Sequence, residues 1–159
     1  MSAVVLDPAS GSRMFYFDRE DPRVLFGDIR SESHVLCDGR ALEVSPDALM
    51  DYRALPHADE TFRVVVFDPP HLTRAGRTGW MFQKYGALNP VSWRDDLTAA
   101  FVEVFRVLAP NGVLIFKWNE TQIPVREVLA LTPHKPLVGH VRVGKSADTH
   151  WITFLKASA

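Results

Sequence analysis

The stretch Val64-Val65-Val66-Phe67-Asp68-Pro69-Pro70-His71 decides the fold. Its first four residues form an unbroken β-branched and aromatic run with no polar alternation. Such a run reads as a central strand buried on both faces, the kind found in parallel sheets. An acid and two prolines follow at once. Proline fixes φ and lacks an N–H, so the pair ends the strand and holds the chain rigidly at its carboxyl end. An acid on a rigid turn at a strand tip is a feature of sites rather than of cores.

Similar runs lie on either side. Ser2 to Leu6 and Arg23 to Gly27 read as strands before it, the first buried on both faces. His34 to Asp38 and Ala41 to Ser45 flank the turn dipeptide Asp38-Gly39 and are expected to pair as a hairpin. Ala48 to Tyr52 is a further short strand. Downstream, Leu97, Phe101, Val104, Phe105 and Leu108 recur at helical spacing, which predicts an amphipathic helix over Trp93 to Leu108. Pro110-Asn111-Gly112 stops it. Val113 to Trp118 is again a buried strand, Pro124 to Leu131 a short helix with proline at its start, and Leu137 to Val143 and Trp151 to Leu155 are closing strands.

This alternation predicts an α/β fold with a mostly parallel sheet covered on both faces and right-handed crossovers. In such sheets ligands bind at the carboxyl ends of the strands. Reactive residues stand there: Asp7 to Ser12 after the first strand, Asp28 after the second, Asp51 after the third, Asp68 to His71 after the fourth, and Lys117-Trp118-Asn119 at the end of the fifth.

Composition narrows the classes. The chain has 159 residues, 47% hydrophobic and 23% charged, and suits one globular domain. No apolar run approaches the roughly 20 residues that span a bilayer, so no membrane insertion is expected. With a net charge of −1 the chain is not a generic polyanion binder, and nucleic-acid contact requires a local basic patch. The single cysteine, Cys37, excludes an internal disulfide and a cysteine-rich zinc site. The N-terminal residues do not resemble a signal peptide, so a cytoplasmic location is expected. His134, His140 and His150 have no metal-ligand spacing, and no metal is expected.

The strand ends point to chemistry. Asp7 to Ser12 reads as a loop between a strand and a helix, and carries a glycine that lets backbone N–H groups approach a ligand. It is neither G-x-x-x-x-G-K-[ST] nor G-x-G-x-x-G, which disfavours nucleoside triphosphates and nicotinamide. Asp28, 17 residues after Gly11, is spaced to accept from both hydroxyls of a ribose. Asp51 either reaches an adenine edge or caps its own loop. The Asp68 carboxylate and the free Pro69 carbonyl are two acceptors matching the two protons of an exocyclic NH₂ group. Cys37 lies far from this motif and is read as a buried or hairpin thiol rather than a nucleophile.

These residues together resemble the class I S-adenosylmethionine-dependent methyltransferases. The likeness is narrower still to the amino-methyltransferases of adenine N6 and cytosine N4, marked by (D/N/S)-P-P-(Y/F/W). Leu6 to Ser12 is similar to the cofactor loop D-P-x-x-G-S-G. Asp28 matches the ribose acid. Asp51 with Leu55-Pro56 and Thr61-Phe62 resembles D-x-x-x-L-P…sFD, and Val107 to Leu114 resembles V-L-K-P-G-G-x-L. The resemblance implies a Rossmann-like seven-stranded sheet. It implies S-adenosyl-L-methionine as cofactor, bound by Asp7, Pro8, Ala9, Ser10, Gly11, Ser12, Asp28, Asp51 and Asp68. Asp68, Pro69, Pro70 and His71 would then form the catalytic motif, and a nucleobase amine in DNA or RNA, N6 of adenine foremost, the acceptor.

Three departures stand out. Arg13 occupies the place of the second Gly in G-S-G, where its side chain either crowds the cofactor or swings aside. His71 replaces the usual aromatic. The chain starts almost directly at the first strand, so the helix that normally precedes it is expected to be lacking, leaving a more open pocket or one completed by a homodimer or partner subunit. The segment 72–86 interleaves Arg74, Arg77 and Lys84 with Trp80, Phe82 and Tyr85, which suits phosphates and stacked bases. With Trp118 and Asn119 it is expected to bind substrate. Two other readings stay open: a non-catalytic subunit with this fold, and a methyltransferase of a small amine or protein amide.

Overall fold

A computed structural model describes residues 3–76, 78–139 and 148–158. Seven strands form one sheet: β1 (Val5–Asp7), β2 (Val24–Asp28), β5 (Ala48–Leu49), β6 (Phe62–Phe67), β7 (Leu108–Asn119), β8 (Val138–Gly139) and β9 (Thr149–Leu155). Their order is β5-β2-β1-β6-β7-β9-β8. All neighbouring pairs are parallel except those made by β9, which runs antiparallel to β7 and β8. A separate hairpin pairs β3 (Glu32–Val35) with β4 (Ala41–Val44).

Helix α2 (Trp93–Val107) packs its apolar stripe on one face of this sheet, as its periodicity predicts. Phe101 meets Phe116 with ring centroids 5.3 Å apart, and Phe105 meets Phe154 at 5.8 Å. Leu114, Phe116 and Trp118 alternate along β7 toward this core and are fully buried. The short α1 (Trp80–Tyr85) and α3 (Val125–Leu129) complete the helices of the described residues.

Connections running from β1 outward to β5 and from β6 outward to β8 proceed in opposite directions, so right-handed crossovers place them on opposite faces. The first face differs from expectation, because no helix forms between β1 and β2. Residues 8–23 make a succession of turns instead. Arg13 holds them: its guanidinium donates to the carbonyls of Arg19 (2.6 Å) and Ser45 (2.7 Å) and to Oδ1 of Asp47 (2.8 Å), and lies 4.0 Å from the centre of the Phe26 ring. The hairpin's first strand ends at Val35 rather than Asp38, because Asp38 is tied to the Arg40 backbone and guanidinium and Gly39 takes φ +81°. Cys37 is exposed in that turn.

Strand β7 begins at Leu108, earlier than expected, and runs through Pro110-Asn111-Gly112 with a register shift against β6. Asn111 takes φ +60° there, so the segment read as a helix stop is also a wide bulge. Of the closing strand expected over Leu137 to Val143, only Val138 and Gly139 are seen as strand; residues 140–143 lie outside the described residues, His140 among them. No described helix is long and apolar enough to cross a membrane.

Candidate active site

The strand order reverses between β1 and β6, and a crevice opens at their carboxyl ends, where α/β sheets bind ligands. Its volume is about 300 Å³. Pro8 to Ser12, Asp28, Asp51, Asp68 to His71, Lys84 and Tyr85 line it. The sheet thus gathers most of the predicted residues from five separate chain segments.

Asp7 is a correction. It is fully buried below the loop rather than on the crevice wall. Its Oδ1 accepts from the Ala9 amide at 3.1 Å and its Oδ2 from the Tyr16 hydroxyl at 2.8 Å. Burial raises its carboxyl to about 7, against the opposing Tyr16 bond. Asp7 shapes the loop and does not touch the crevice.

Above it, Gly11 takes φ +50° and nothing would meet a Cβ there. Its N–H donates to Asp28 Oδ2 at 2.9 Å, while Asp28 Oδ1 accepts from the Arg30 amide at 2.9 Å. A carboxylate has about four acceptor sites, so the buried Asp28 retains capacity for a diol. The Ser10 and Ser12 hydroxyls are buried on this wall without a hydrogen-bond partner among the described residues. Orphaned buried hydroxyls beside a spare carboxylate are what a polar ligand would satisfy. Arg13 takes φ +56° and its side chain swings away from the crevice, which resolves the first departure.

Asp51 lines the crevice and also caps its own loop, accepting from the Arg53 amide at 2.9 Å. The Arg53 guanidinium holds its carboxyl below the usual range. Tyr52 adjoins it on the wall.

On the other side Asp68 is half-buried, and Lys117 Nζ donates to its Oδ2 at 2.8 Å. Burial pushes the Asp68 carboxyl up and Lys117 opposes the shift. Pro69 is buried on the crevice wall, and its carbonyl accepts no hydrogen bond among the described residues. His71 lies 5.5 Å from the Tyr85 ring and 6.3 Å from that of Trp118. Burial, and secondarily Lys117, lower its imidazole to about 4. A second cavity of about 170 Å³ adjoins here, sharing His71 and Tyr85 and bordered by Lys117, Asn119, Thr121 and Thr149.

Among the expected substrate residues, Lys84, Tyr85 and Asn119 reach a cavity wall. Trp118 does not: it is buried in the core with its indole N–H on the Ile123 carbonyl at 2.9 Å. Alternation with Phe116 along the strand was the signal for this. Arg74 and Trp80 line neither cavity; Gln122 bonds the Arg74 backbone on both sides, and Trp80 is exposed. Arg77 lies outside the described residues. Sequence reasoning missed Phe15, which the fold brings to the crevice wall, while Phe82 and Lys117, both within segments singled out in the sequence, reach the walls as well.

The sheet order, with one antiparallel strand beside a parallel run, is that of the class I S-adenosylmethionine-dependent methyltransferase fold. No family profile and no curated protein sequence matches the chain. Solved structures do match. The PH0226 protein from Pyrococcus horikoshii has a TM-score of 0.60 at 18% identity, covering 96% of this chain and 81% of its own. A TehB-like SAM-dependent methyltransferase from Corynebacterium glutamicum has 0.61 at 14%, covering 98% and 80%. A SAM-dependent methyltransferase from Methanosarcina mazei has 0.56 at 10%, covering 98% and 92%. At these identities the likeness is one of fold. At that level the expected fold class is borne out.

Proposed function

We propose that the chain transfers a methyl group from S-adenosylmethionine to the exocyclic amine of a nucleobase in DNA or RNA, with N6 of adenine the favoured acceptor. The observation that carries this reading is that Asp68 and the Pro69 carbonyl, which accepts no hydrogen bond among the described residues, stand together on the crevice wall. The cofactor, when bound, supplies an electrophilic sulfonium methyl. Pro8 to Ser12 and Asp28 would hold it, with Ser10 and Ser12 gaining partners they lack among the described residues. Asp51 and Tyr52 would border its base.

The chain's own work is then positional. Asp68 Oδ1 and the Pro69 oxygen accept the two N–H bonds of the amine and favour sp³ character at nitrogen. The lone pair is thereby withdrawn from the ring and aimed. Methyl transfer by displacement needs orientation and electrostatics more than covalent help. On transfer the nitrogen would take the methyl group from the sulfonium and shed one proton, with Asp68 and solvent as the acceptors at hand. His71 and Tyr85 offer planes for the base, and exposed Arg74 and Trp80 with half-buried Lys84 offer contacts for a strand. A base in a duplex would have to be flipped out.

Tritium transfer from labelled S-adenosylmethionine to DNA, RNA and protein tests this. Expected is label in nucleic acid, reduced about 100-fold by Asp68→Ala. Label in protein alone favours the amide reading, and calorimetry showing no cofactor binding favours a non-catalytic subunit.

A further inference from the structure

Lys117 stands at a strand end singled out in the sequence, yet the proposed transfer gives it no role. It sits on β7 on the face opposite Phe116 and Trp118, in register with Trp151. Its ammonium is 2.8 Å from Asp68 Oδ2, 5.3 Å from the centre of the Phe15 ring and 5.7 Å from that of Trp151. A carboxylate combined with two aromatic rings is the surrounding that recognises an alkylammonium group. The chain fills that cage with an alkylammonium of its own. Both partners are largely withdrawn from solvent, with side chains 21% and 18% exposed, so the charge is weakly screened.

We propose that Lys117 selects the acceptor by charge: its ammonium occupies Asp68 Oδ2 within the cage and leaves the site open to a neutral, planar NH₂ group and closed to an alkylammonium. The inference rests on the reading of Asp68 and Pro69 as the amine's acceptors. Oδ1 of Asp68 makes no hydrogen bond among the described residues and remains for the amine. A second cation brought to the same carboxylate meets the first at short range, and like charges so placed disfavour each other. A nucleobase amine or a carboxamide carries no charge and meets no such barrier.

Binding and transfer test this separately. n-Butylammonium is titrated into wild type, Lys117→Ala and Lys117→Arg, with the Trp151 indole resonance as reporter. Expected is binding to Lys117→Ala at least about tenfold tighter than to wild type, with Lys117→Arg, which keeps the charge, behaving as wild type. Should Lys117→Ala fold poorly, Lys117→Met retains the stem and carries the same expectation. Equal binding by wild type and the uncharged variants overturns the proposal. In the transfer arm, wild type is offered oligonucleotides, a glutamine-containing peptide and n-butylamine. Label in either neutral acceptor but not in the alkylamine supports the filter, and label in the alkylamine overturns it. If the binding arm holds while no neutral amine is methylated, the cage stands and the transferase reading falls.

Discussion

The Arg13 guanidinium reaches across 34 residues of sequence to the Asp47 carboxylate at 2.8 Å. Asp47 in turn accepts from the Phe26 amide at 3.0 Å through its other oxygen. One side chain thereby ties the turns after β1 to the segment before β5, where a helix was expected to do the packing. Arg13→Ala removes three hydrogen bonds and keeps a left-handed backbone, so a loss of about 2–4 kcal/mol is expected in urea unfolding. Arg13→Gly loses the same bonds but suits φ +56°, and should recover about 1 kcal/mol relative to alanine. A glycine variant as stable as wild type would show that the staple contributes little.

Asp7 makes stability depend on pH in the sense opposite to most carboxylates. Its folded pKa of about 7 lies above the unfolded value near 3.8, so the folded state holds the proton more tightly between them. Stability from this group is fully present below about pH 4 and is lost as pH rises to about 7, by up to a few kcal/mol. Asp7→Asn keeps an oxygen for the Ala9 amide and never ionises, so the slope across that window should flatten. Tyr16→Phe deletes a bond that favours the charged form and should move the loss to higher pH. Urea midpoints at pH 5 and 7.5 for the three proteins check both statements.

Much of the candidate site is legible in the sequence. The acids at the ends of β1, β2 and β6 follow from apolar runs that could only be strands, and the stripe of α2 fixed its buried face. What escaped is long-range. The turns at 8–23 depend on partners such as Ser45 and Asp47, which no local pattern reveals. The Lys117–Asp68 pair joins residues 49 apart and needs the sheet order to be seen. Trp118 is different, because the alternation Leu114, Phe116, Trp118 already assigns it to the core and Lys117 to the other face.

Gly112 is required by the bulge. A Cβ there would lie 2.7 Å from the Ala109 carbonyl oxygen and 2.9 Å from the Leu108 side chain, both within the bulge itself. The Gly112 carbonyl also accepts from the Lys156 amide at 2.9 Å, which ties the bulge to the end of β9. Gly112→Ala should therefore cost about 1–3 kcal/mol by thermal or urea unfolding. The crevice lies at the opposite end of the sheet, so ligand binding by the folded variant should not change. A variant of unaltered stability would mean that the turn relaxes without cost.

His71 should remain uncharged at every pH where the protein works. Its imidazole lies at about 4, below the free value of 6.5, chiefly through burial and secondarily through Lys117. A base with a depressed folded pKa adds stability above the unfolded value and loses it as pH falls through the folded one. His71 thus opposes Asp7, favouring the fold as pH rises from about 4 to 6.5. A neutral ring beside Tyr85 can lie against a base without attracting a phosphate. The ring resonances of His71, followed by NMR, should not titrate above about pH 5, and the pH–rate profile should show no limb near 6.5 from this group. Lys117→Met removes the lesser cause and should raise the midpoint only partway. Titration near 6.5 in the wild type would place His71 in water, outside the wall it is assigned to.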